Sequence, residues 1–99
     1  MASAAESQKE QRRTDLARDY AKARDLLESL KAQRSVGERN VREAQEVERL
    51  TYESYRAGKT NYLDVQSADL RLFEARVAAA QIESQILVQT ARLDYLAAR

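Results

Sequence analysis

From Leu16 onward the chain repeats apolar or small residues in alternating steps of four and three: Leu16, Tyr20, Ala23, Leu27, Leu30, Arg34, Gly37, Val41, Ala44, Glu48, Thr51, Tyr55. Such spacing keeps one stripe of a helix on one side, as a helix packed against another helix requires. The stepping resumes as Leu63, Gln66, Leu70, Phe73, Val77, Ala80, Ser84, Leu87, Ala91, Asp94, Ala98. Between the two runs the pattern breaks. Gly58 suits the left-handed residue that closes a first helix, with Arg56 near its negative end. Asn61 can cap a second helix, and Asp64 places a carboxylate in its first turn. The pattern therefore predicts helices over 14–57 and 61–98, a turn at about Ala57 to Asn61, and a polar, frayed start over 1–13. Gly37 lies inside the heptad run with no cap after it, so it reads as a small residue at a close helix contact rather than a break.

Folding back at Gly58 pairs the two runs in antiparallel order, with position numbers that sum to 117 or 118. Phe73 then faces Ala44, Ala80 faces Gly37, Leu87 faces Leu30 and Ala91 faces Leu27, so large residues meet small ones. Glu48 opposite Leu70 is a mismatch in this scheme, and Gln66 weakens the seam. The second helix carries another apolar stripe, Val65, Ala68, Leu72, Ala75, Ala79, Ile82, Ile86, Leu93 and Leu96. On a helix about 55 Å long this stripe is too large to leave in water. Val65, Leu72, Ile82, Ile86 and Leu93 are accordingly expected to pack against neighbouring hairpins. The first helix has only a weak second set, Val36, Val47 and Leu50, beside a face rich in Arg and Glu.

Composition narrows the chemistry. The 99 residues contain no Pro and only two Gly, which suits an all-α fold of two long helices in an antiparallel coiled-coil hairpin. With no His and no Cys, metal sites built on those ligands, disulfides and imidazole-based catalysis are ruled out. No cofactor, metal or catalytic residue is expected, and the chain does not read as an enzyme. The 17 Lys and Arg are balanced by 16 Asp and Glu, so no net field favours nucleic acid or an anionic membrane. Arg12, Arg13 and Arg18 are interleaved with Glu10, Asp15 and Asp19 and read as a solvated helix face. Carboxylate pairs such as Asp64 with Asp69, or Glu43 with Glu46, sit beside Arg and Lys and read the same way. Gly58-Lys59-Thr60 imitates the end of a phosphate loop but lacks the preceding strand and glycine spacing. Tyr52, Tyr55 and Tyr62 suit the narrow end of a hairpin, with their hydroxyls in water. The start of the chain has no apolar core of the length a secretory signal needs, and no window approaches the roughly 18 apolar residues of a membrane helix.

The segment from Tyr52 to Tyr95 has a distinctive series: Tyr55-Arg56-Ala57-Gly58, Tyr62-Leu63-Asp64-Val65, Ala68, Leu72-Phe73-Glu74-Ala75-Arg76, and Ala91-Arg92-Leu93-Asp94-Tyr95-Leu96. It resembles the second-repeat helical hairpin of TolC-like outer-membrane efflux proteins. Gln66 and Asp69 depart from that pattern, standing where the family commonly has Leu and Gln. Without a signal, barrel strands or the other helical repeat, the chain looks like a fragment or gene remnant of such a protein.

The resemblance implies a trimeric channel whose membrane β-barrel continues into a periplasmic α-barrel. Neighbouring hairpins of the same channel and a periplasmic adaptor protein are the implied partners. The membrane would be reached only through β-barrel segments. Carried onto this sequence, Gly58 would let adaptor and channel backbones approach, while Tyr55, Arg56, Lys59, Asn61, Tyr62 and Asp64 would form the tip surface that contacts the adaptor and helps gate export. Two other readings share the hairpin logic: the helical hairpin of a periplasmic adaptor, which usually carries lipoyl-like strand sequences missing here, and a self-associating coiled-coil module with no transport role.

Overall fold

The computed structural model describes residues 4–98. It contains two helices, α1 over Ala4–Arg56 and α2 over Tyr62–Ala97, folded back on each other as an antiparallel hairpin measuring 84 × 18 × 16 Å. The chain is all-α among the described residues.

Helix α1 starts ten residues earlier than the polar pattern suggests. Residues 4–14 are helical and exposed. The apolar stripe is absent there as expected, but the fraying is not seen. Ala, Glu, Gln, Lys and Arg are strong helix formers, and extending an existing helix adds a hydrogen bond per residue without a new nucleus. Local bonds assist: Thr14 Oγ1 donates to the Glu10 carbonyl at 3.0 Å, and Arg18 pairs with Asp15 at 2.6 Å. Met1, Ala2 and Ser3 of the expected frayed start lie outside the described residues.

The α1 seam largely follows the heptad expectation. Ala23 and Leu30 are buried, and Leu16, Leu27, Arg34, Gly37, Val41, Ala44, Glu48 and Thr51 are half-buried. At the two ends the seam turns slightly, so Asp19 and Ser54 are more covered than Tyr20 and Tyr55. Gly37 continues the helix, and a methyl placed on it would meet Ala79 Cα and Cβ at 3.9 Å, an ordinary contact. The seam is close at this level but would accept an alanine.

Helix α2 presents the opposite stripe to the one expected. Val65, Ala68, Leu72 and Ile86 are buried against α1, with Ala75, Ala79, Ile82, Gln89, Leu93 and Leu96 half-buried. The expected seam residues Leu63, Leu70, Phe73, Val77 and Leu87 are exposed. Val65, Leu72, Ile82, Ile86 and Leu93 thus turn toward α1 within the hairpin. Gly37 lies level with Ala79, a register of 116 rather than the 117 or 118 expected, and the same count would set Leu30 level with Ile86, Ala44 with Leu72 and Thr51 with Val65. One residue of shift turns a helix by about 100°. The inner stripe has one polar member, Gln89, whereas the outer one would have buried Gln66, Ser84 and Asp94, each needing a partner in the seam.

Candidate functional site

The turn is closed from both sides by backbone bonds. Lys59 N–H donates to the Ser54 carbonyl at 2.8 Å and Gly58 N–H to the Tyr55 carbonyl at 3.0 Å. This is the paired arrangement that ends a helix through a left-handed residue. Gly58 takes that conformation with φ +74°, and it has nothing within 4 Å of the place where a Cβ would stand. Glycine is therefore required by backbone conformation, while the space above it is open.

On the other side Asn61 is extended, and its side-chain oxygen accepts from Asp64 N–H at 3.0 Å, capping α2. The Thr60 hydroxyl donates to the Asp64 carboxylate. Asp64 thus stands in the first turn of α2, where the helix end favours a negative charge. Tyr55 and Tyr62 bring their rings together across the turn at 5.7 Å between centroids, tilted by 57°. The Arg56 guanidinium lies 5.9 Å from the centre of the Tyr52 ring. This distance suits a cation resting on an aromatic face.

The seven tip residues named from sequence, Tyr55, Arg56, Gly58, Lys59, Asn61, Tyr62 and Asp64, are all exposed and grouped at one end of the hairpin. Two of them, Asn61 and Asp64, spend side-chain oxygens on shaping the turn. Sequence reasoning placed Tyr52 at the narrow end without its Arg56 partner, and left out Thr60 as a tip-shaping residue. The signal was available in spacing: each lies four residues from its partner, Thr60 from Asp64 and Tyr52 from Arg56.

Two grooves run up from the tip between the helices and share no residues. One, of about 360 Å³, is lined by Val47, Leu50, Thr51, Ser54, Ser67 and Arg71 among others. The other, of about 490 Å³, is charged and aromatic, with Glu48, Arg49, Tyr52, Glu53, Tyr62 and Asp69 on its walls. Arg49 pairs with Glu46 and with Glu53. Hydrogen bonding to Glu46, aided by both carboxylates' charge, pushes Arg49 further up, and the same bond holds Glu46 below the ordinary 4.5. Glu48 is shifted the other way. A hydrogen bond with the Asp69 carboxyl group, then burial and the Asp69 charge, raise it above 4.5, with Arg76 pulling weakly back.

No group of three metal-ligating side chains occurs among the described residues, and no helix there is long and apolar enough to cross a membrane. The arrangement offers a capped aromatic tip, two shallow grooves, and an uncovered apolar stripe along α2.

A family model described as outer membrane efflux protein matches residues 1–99. The chain belongs to this family, in agreement with its resemblance to TolC-like proteins. No curated protein and no solved structure matches it.

Proposed function

We propose that the hairpin is part of the periplasmic tunnel wall of a TolC-like outer-membrane efflux channel. Its role is transport, with the tip meeting a periplasmic adaptor and helping to gate export of small molecules or proteins. The observation that carries this reading is the two-sidedness of α2. One apolar stripe is covered by α1, while Leu63, Leu70, Phe73, Val77 and Leu87 remain open along the outer side. A helix in a closed wall of helices has neighbours on both sides and needs two such stripes. The residues that pack against neighbouring hairpins of the same channel, a homotrimer in the family, are then this outer set.

The tip supports the second half of the proposal. It is held rigid by its own backbone bonds, so its exposed Tyr55, Tyr62 and Lys59 are presented in a fixed arrangement. The open space over Gly58 is room for an approaching backbone.

The test is drug export in cells carrying the channel with Gly58→Leu or Gly58→Asn. Asparagine tolerates the left-handed conformation better than leucine, so it adds bulk at the tip with less strain. Both variants should lower efflux while the protein still accumulates and remains helical. Normal efflux by both would remove the tip from the adaptor contact.

A further inference from the structure

The outer side of α2 exposes Leu63, Leu70, Phe73, Val77 and Leu87 at heptad spacing, with the small Ala80 and Ala91 in the gaps and polar breaks at Gln66, Ser84 and Asp94. Charges line both edges of this stripe: Asp69, Arg76 and Glu83 on one, Glu74 on the other. Arg76 has no ion pair among the described residues, and Glu83, 3.7 Å from Arg34, keeps its side chain 51% exposed. Both can take a further partner. Helix α1 offers no matching face, since its outward Leu26, Val36, Val47 and Leu50 are too widely spaced to form a continuous seam. The best complement to the stripe is the stripe itself.

We infer that two copies of this chain pair through the outer stripes of α2, antiparallel about a two-fold axis lying between Val77 and Ala80. Val77 then meets the partner's Ala80, Phe73 the partner's Ser84 and Leu70 the partner's Leu87, so the bulkiest residue faces a small one. Each contact occurs twice, as a two-fold interface requires. Along one edge Arg76 comes beside the partner's Glu83, which then lies between two arginines, since Arg34 already stands against it within its own hairpin. The product is a row of four helices with the two tips at opposite ends.

Charge selects this register. Sliding the pair by one heptad, so that Phe73 meets the partner's Val77, buries as many apolar residues but sets Arg76 beside the partner's Arg76, Glu74 beside the partner's Glu74 and Asp69 beside the partner's Glu83. Like charges so placed oppose association. A parallel pair instead stacks every polar break on its own copy, Asp94 on the partner's Asp94 included. The contact running from Leu63 to Asp94 is about 47 Å long and about 10 Å wide, about 1,000 Å² over both copies, the size at which specific association begins.

The pairing belongs to the free chain, with its tips pointing apart, and does not rest on the channel reading. Gly58 lies outside the contact, so the efflux of Gly58 variants and the association of the free chain are separate results.

The experiment is sedimentation of the full chain from about 10 μM to about 1 mM, with crosslinking of single-cysteine variants by a short bifunctional maleimide. The chain has no cysteine of its own, so each crosslink reports one position. The wild type should pass from monomer to dimer over this range. Ala80→Cys, beside the two-fold axis, should crosslink to its copy, while Leu63→Cys, about 47 Å from its copy, should not. Arg76→Glu and Glu83→Arg should each associate about tenfold more weakly, because like charges now meet at both edge contacts, and an equimolar mixture of the two should recover wild-type association. A chain that stays monomeric at about 1 mM overturns the pairing. So does crosslinking at Leu63, which marks a parallel pair, or no crosslinking at Ala80 in a chain that associates, which marks a head-to-tail contact. A mixture that fails to recover overturns the register.

Discussion

Leu72 and Phe73 are neighbours in sequence and opposites in environment: Leu72 is 4% exposed and Phe73 is 64% exposed. They belong to the two stripes of α2, one turned to α1 and one turned away. The outer stripe holds the only phenylalanine and several leucines, so side-chain size did not decide which stripe went inside. What separates them is continuity. The inner stripe is interrupted by Gln89 alone, and its Ala68, Ala75 and Ala79 let α1 come close, whereas the outer is broken by Gln66, Ser84 and Asp94. A seam tolerates small residues far better than unpaired polar ones, because a small residue only brings the helices nearer.

The largest test of this contrast exchanges the two neighbours. Leu72→Ala should cost about 2–4 kcal/mol by leaving a hole opposite Ala44, a large part of the stability of so small a fold. The melting point, followed by circular dichroism, should drop by about 10 °C or more. Phe73→Lys should leave helix content and melting nearly unchanged, yet weaken self-association in sedimentation runs across a range of concentrations. If Phe73→Lys melts as low as Leu72→Ala, the inner and outer assignments are wrong. If the wild-type chain is a folded monomer at high concentration, the outer stripe does not seek another helix.

Much of this was readable in the residues. Gly58 and Asn61 mark the turn because their local chemistry leaves few other uses for them, and the α1 seam follows from spacing with little competition from its charged outer face. The α2 face did not follow from spacing, since two stripes with the same period lie side by side and a one-residue change of register exchanges them. The clue was Glu48. Pairing it with Leu70 was a mismatch, while the register of 116 sets it level with the small Ala68, which is buried. The tip residues were legible as a group for the same reason as the turn. Their cross-turn contacts, Tyr55 with Tyr62 above all, depend on the angle between the helices, which no local pattern contains.

Gln89 is the exception within the inner stripe and gives a smaller test. Its side-chain oxygen is buried without a hydrogen-bond partner, at the level of Leu27. An unsatisfied buried acceptor costs about 1–3 kcal/mol, so Gln89→Leu should raise stability by about 1 kcal/mol and the melting point by about 5 °C. A lower melting point would mean that the amide is worth more to the seam than the apolar contact replacing it. The inner stripe would then not be selected for continuity.

The smallest effect belongs to charge on the outward side of α1, and its sign is what matters. Glu46 lies two residues from Glu48 but points away from the seam, where it pairs with Arg49. That bond holds it below the ordinary 4.5. Its contribution is therefore present above 4.5 and is lost as pH falls through the folded value. Glu46→Gln should melt slightly below wild type at pH 7, with the gap closing in acid. Because both partners are more than half exposed, added salt should shrink the gap as well. Glu48→Gln is expected to move the other way at pH 7, since Asp69 and burial hold the Glu48 carboxyl above the ordinary 4.5 against a weaker pull from Arg76. Melts of the two variants side by side across pH thus set an outward glutamate against a seam glutamate of the same helix. If both shift in the same direction at neutral pH, the side of the helix does not decide what the charge does.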